Sequence, residues 1–104
     1  MSHRCHAQGC RVEVKPELLM CSKHWLRVPG VIRREVLRNY RPGQCDDKNP
    51  SEAWHVAADA AIGFIAIREA RPISKNQVDA LEKLGYAVYA DENEVLHCMK
   101  KAPN

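Results

Sequence analysis

Four side chains near the start of the chain have the types and the spacing of a metal site. Four residues separate Cys5 from Cys10, Cys21 follows after ten more, and His24 lies beyond Cys21 with two between. A Cys-x4-Cys-x10-Cys-x2-His set offers three thiolates and one imidazole, the soft and borderline donors that Zn²⁺ takes in a tetrahedron. Zinc is therefore the expected cofactor. Gly9 lets the backbone bend so that Cys5 and Cys10 face one point, and a Cys-x2-His step at the start of a helix aims two more ligands inward. Such a set is closed, with no position left for a catalytic water, so it predicts a structural site. His3 and His6 stand near enough in sequence to compete with His24 as the nitrogen donor. Free cysteines also serve as small buried hydrophobes, but no long apolar stretch surrounds these three.

Other chemistry is sparse. Cys45 and Cys98 stand alone, and His97 beside Cys98 on a strand points to the opposite face, so the two make no nucleophile–base pair. No Gly-rich phosphate loop or paired-carboxylate pattern occurs, and the chain reads as a non-enzyme. An odd count of five cysteines, without a signal-peptide pattern at MSHRCHAQGC, predicts reduced thiols in a cytoplasmic setting. No run approaches the roughly 20 apolar residues of a membrane span, so no membrane partner is expected.

Charge is unevenly placed. The net charge of +3 hides nine basic and three acidic side chains in residues 1–44, against seven basic and ten acidic in residues 45–104. On a helix over 29–41, Arg34, Arg38 and Arg41 form one stripe, which Arg27 extends if helical structure reaches back that far. Arginine forks suit phosphates, which makes nucleic acid a candidate partner. At the other end Asp91, Glu92 and Glu94 form an acidic turn, a candidate surface for a protein partner.

The elements that must position these groups follow from punctuation and periodicity. Residues 5–25 predict a zinc knuckle whose hairpin pairs RVEV with ELLM across Lys15-Pro16. Ile32, Val36 and Tyr40, with Leu37 beside them, give a helical stripe that begins at Pro29 and stops at Arg41-Pro42-Gly43. A longer helix is capped by Asn49 or Ser51, buries Trp54, Ala57, Ala58, Ala61, Ile62 and Ile65, and ends at Arg71-Pro72. Its alanine face suits either an internal contact or a homodimer. Ser74 and Gln77 predict a capping box opening a helix with Val78, Leu81 and Leu84 inward and Gly85 just past its end. YAVYA and EVLHCMK then predict a β-hairpin around Asp91-Glu92-Asn93. The expected fold class is α+β: a ββα-like zinc knuckle and basic helix over 1–44, then two helices and a hairpin over 45–104, packed as one domain.

CHAQGC, LLMCSKHW, VPGVIRREVLRNYRPGQ and NPSEAWHVAADAAI together resemble small zinc-motif proteins of bacteriophages and prophages, most of them without assigned function. The likeness covers residues 3–65. Cys21-Ser22-Lys23-His24-Trp25 also resembles a finger found beside phage homing-endonuclease domains, where its company implies DNA contact. The nuclease His-Asn-His set of those enzymes is missing. The expected function is that of a non-enzymatic accessory protein in bacterial cytoplasm that binds nucleic acid or nucleic-acid machinery through its basic first half. The resemblance itself bears more on phage origin and metal than on activity. The alternative it implies is an inhibitor of a host factor or defence complex, anti-CRISPR proteins included.

Overall fold

A computed structural model describes residues 3–40 and 50–101. Arg41, Cys45 and Asn49 lie outside the described residues. The architecture is the expected α+β mixture. A two-residue strand β1 (His3–Arg4) pairs antiparallel with β2 (Glu13–Val14), His3 opposite Val14 and Arg4 opposite Glu13. The one-turn helix α1 (Ser22–Trp25) follows, then α2 (Gly30–Arg38), α3 (Glu52–Arg68) and α4 (Lys75–Lys83). The hairpin β3 (Tyr86–Ala90) and β4 (Leu96–Lys100) ends the described chain, with Val88 opposite Cys98.

The knuckle hairpin differs from expectation. RVEV pairs back with His3–Arg4, and the Cys5 amide extends the ladder by donating to Val12 O at 2.8 Å. ELLM forms no strand. Leu18 N–H closes a turn on Lys15 O at 3.0 Å, and Leu19 O accepts from the His6 amide at 3.0 Å. Pro16 accounts for the change, because its fixed negative φ does not suit the second central position of a tight two-residue turn between RVEV and ELLM. It takes the first central position of the Lys15–Leu18 turn instead.

Helix α3 is the centre of the molecule. Packed by α2, α4 and the hairpin, it buries Ala60, Phe64, Ala66 and Ile67 as well as Ala57, Ala58, Ala61 and Ile65. A one-sided stripe is thus too narrow a description, since a helix apolar nearly all round is one surrounded by its own fold. The alanine face is spent inside the chain. Small residues let α4 come close: a Cβ on Gly63 would lie 2.9 Å from Gln77 Cβ and 3.4 Å from Leu81 Cδ1. Ser51 caps α3, its hydroxyl accepting from Trp54 N–H at 3.1 Å. Ser74 and Gln77 make the reciprocal capping box of α4, at 3.2 and 3.0 Å.

The far end of α3 closes with crossed hydrogen bonds, Arg71 N–H to Ala66 O at 2.8 Å and Ala70 N–H to Ile67 O at 3.1 Å. This pattern sets the residue after the cap in the left-handed region, usually a glycine. Here it is Ala70, with φ of 55°, at a cost of about 1 kcal/mol. In α2 the buried face is Ile32 and Val36, while Leu37 is 66% exposed and turned away from the core. Within the last hairpin, Asp91 builds the turn. Its Oδ1 accepts from the amides of Asn93 at 2.8 Å and Val95 at 3.0 Å, and its Oδ2 meets His97 Nε2 at 2.8 Å.

Candidate metal centre

The turn that brings Cys5 towards Cys10 is closed by Cys10 N–H donating to Ala7 O at 3.1 Å. Gly9 takes the position that needs a left-handed backbone, with φ of 76°. Cys21 stands at the head of α1, and His24 lies one turn further on the same side, its side chain only 8% exposed. The ligand atoms of Cys5, Cys10, Cys21 and His24 all lie within 4.8 Å of one another. Cys21 Sγ is 3.2 Å from His24 Nδ1, Cys5 Sγ is 3.6 Å from the same nitrogen, and Cys10 Sγ is 4.0 Å from Cys21 Sγ. All three cysteines are free thiols.

Zn–S bonds of about 2.3 Å and Zn–N bonds of about 2.0 Å give a tetrahedron whose edges are roughly 3.5–3.8 Å. These three of the six separations bracket that range and all six lie within 4.8 Å, so the donor set is compatible with a tetrahedral ion of this size. Cys5, Cys10, Cys21 and His24 would hold it, and the ion would supply cross-linking of the knuckle. Thiol ionisation is already biased. Burial raises Cys21, but the His24 amide and ring, with the Cys5 and Cys10 thiols, outweigh it and bring the thiol down to about 7. Cys5 goes the other way, pushed up to about 11 chiefly by burial. Binding a cation is what would ionise Cys5.

His3 and His6 are not in this cluster. Their rings are tilted at 56° to one another with centroids 4.9 Å apart, and they line a separate 330 Å³ hollow with His55, Tyr40 and Trp54. Trp25 packs against the core and one wall of an apolar groove shared with Met20, Val36 and Trp54.

The spacing argument missed a residue. Glu69, the C-terminal cap of α3, places Oε2 3.1 Å from His24 Nε2, on the side of the ring away from the thiols. The same carboxylate lies 3.8 Å from Arg27 and 3.7 Å from Arg71. Contacts continue along the connection after α3. The Arg71 guanidinium covers Gly9, so a Cβ there would have to displace it, and the Gln8 side-chain amide donates to Pro72 O. The one hint in sequence is an acidic side chain at a helix C-terminus, where the helix dipole disfavours it.

The arginine stripe is divided by these contacts. Arg27 is drawn to Glu69, Arg38 lies 3.5 Å from Glu35, and Arg41 is outside the described residues. Arg34 is exposed and, among the described residues, forms no ion pair. Of the acidic turn, Asp91 is engaged within the hairpin, while Glu92 and Glu94 are exposed. No described helix is long and apolar enough to cross a membrane.

Comparisons with protein-family models, curated proteins and solved structures found no match to this chain.

Proposed function

We propose that this chain is a non-enzymatic accessory protein in which Cys5, Cys10, Cys21 and His24 hold a structural zinc ion and the basic first half binds nucleic-acid phosphates. The resemblance to phage zinc-motif proteins supports a phage origin. A full tetrahedron of protein ligands supports a structural rather than a catalytic ion.

One observation carries the phosphate reading. Both Arg33 and Arg34 fold back over the first turn of α2, where a Cβ on Gly30 would lie 3.4 Å from Arg34 Nη1 and 3.8 Å from Arg33 Nη2. That turn holds no acidic residue and no side-chain cap, and buried Arg33 Nε has no hydrogen-bond partner. Two guanidinium groups beside the positive end of a helix repel one another and the dipole. An anion there relieves all three. Phosphate matches the planar fork geometry of arginine.

The test is binding of labelled duplex and single-stranded probes across a salt series. Affinity falls as salt rises, because each neutralised phosphate releases counterions. The double variant Arg33→Ala, Arg34→Ala lowers the slope of log K against log salt by about 2. Arg27→Ala changes it less, since Arg27 is engaged by Glu69. No binding to either probe at low salt overturns the reading. It would return attention to inhibition of a host factor, with Glu92 and Glu94 as the exposed acidic groups.

A further inference from the structure

We infer that Glu69 is a positioning residue of the metal centre: it holds His24 in the tautomer that presents Nδ1 to the ion, so the site is built from both halves of the chain. The inference rests on the reading that the Cys/His cluster binds a metal. It adds a group 45 residues away from the histidine it acts through.

The assignment follows from what each atom can do. A carboxylate can only accept, so at 3.1 Å from Glu69 Oε2 the His24 Nε2 must carry the proton. A neutral imidazole protonated at Nε2 has its lone pair on Nδ1. Nδ1 is the nitrogen that faces Cys21 Sγ at 3.2 Å and Cys5 Sγ at 3.6 Å. The hydrogen bond also fixes the ring plane and increases the donor strength of the free nitrogen, the usual effect of a carboxylate behind a ligating histidine.

Two locally unfavourable choices support this role. Glu69 places a negative charge at the negative end of α3, and Ala70 takes a left-handed backbone next to it. Neither helps the helix on its own. Together they end α3 so that the Glu69 carboxylate lies over His24 and the Arg71 side chain lies over Gly9. Arg27 and Arg71 flank the carboxylate at 3.8 and 3.7 Å and offset its charge.

The experiment uses the full chain loaded with Co²⁺ and then Zn²⁺, with metal affinity measured by competition against a chromophoric chelator. Glu69→Ala weakens binding about 10–100-fold, and Glu69→Gln, which keeps an acceptor oxygen but no charge, falls between it and the parent. The thiolate-to-cobalt charge-transfer band persists in both, because the four ligands are intact. In ¹⁵N spectra of the zinc form, the protected Nε2–H of His24 disappears in Glu69→Ala and remains in Glu69→Gln. Arg27→Ala and Arg71→Ala weaken binding less than Glu69→Ala, which separates a role through His24 from general repair of the helix end. Parent-like affinity and an unchanged His24 spectrum in Glu69→Ala overturn the inference. Failure of the parent chain to bind either metal overturns instead the reading on which it rests.

Discussion

Residues 3–40 and residues 50–101 are held by different means. The knuckle of the first segment has strands only two residues long and buries Cys5, Ala7, Leu19, Met20 and Cys21, while Val28, Ile32 and Val36 beyond it join the core around α3. The second encloses Phe64, Ile65, Ile67, Leu81 and Tyr86 around a helix of 17 residues, with two side-chain-capped N-termini and a five-residue strand pair. A knuckle this short is below the size at which a hydrophobic core of its own suffices, and metal ligation is one of the few substitutes. The second has the ordinary requirements of a small core. Dependence on the metal should therefore be steep in one half and shallow in the other. Glu69 is one of the places where the two meet, besides the packing of α2 on α3.

Removal of the ion, by chelation or by Cys21→Ser, is the strongest test of that contrast. Structural zinc contributes on the order of 10–16 kcal/mol of apparent binding free energy, comparable to the whole stability of a small domain. We expect amide exchange protection to be lost through residues 3–40 and at the α3 end near Glu69. It should persist at Ala60, Phe64 and Leu81. Simultaneous loss across both halves would show that the metal holds one cooperative unit and that the contrast is wrong.

The converse change is Leu81→Ala. Leu81 is fully buried where α4 crosses α3 beside Gly63, and truncation there costs about 2–5 kcal/mol. Denaturant unfolding should show the loss while the cobalt charge-transfer spectrum stays unchanged. A collapsed spectrum would mean that the knuckle leans on the α3–α4 core more than the metal does on its own ligands.

The smallest effect is that of pH on the last hairpin. Hydrogen bonding to His97 first, then to the amides of the turn, holds the Asp91 carboxyl below its ordinary value. A carboxyl whose folded pKa is depressed stabilises the fold above its unfolded value of about 3.9, and that contribution is lost as pH falls through the folded value. The protection factor at Val95, corrected for the intrinsic pH dependence of exchange, should fall below about pH 4 in the metal-free chain, with Asp91→Asn abolishing the dependence. A pH-independent hairpin would leave packing alone to account for the second half.

Much of this arrangement was legible before any coordinates. Spacing picked out the four donors because ligands on a turn and on one helical step are placed by local geometry, which the intervening residues fix. Ser51, the Ser74–Gln77 box, Gly85 and the final hairpin were legible for the same reason, since caps and turns are settled within a few residues. Tertiary structure decided the rest. The partner of RVEV had to be chosen among strands too short to show alternation, and Pro16 removed the nearer candidate. Leu37 belonged to a helical stripe by period but faces away, because α3 covers only the face that carries Ile32 and Val36. Arg27 and Arg34 read alike as helix charges, yet only one of them meets Glu69. Such pairings depend on where a 17-residue helix ends relative to the knuckle, a distance that no local pattern encodes. Sequence by itself determined which atoms can hold the ion, and the packing of α3 determined which carboxylate stands behind the histidine.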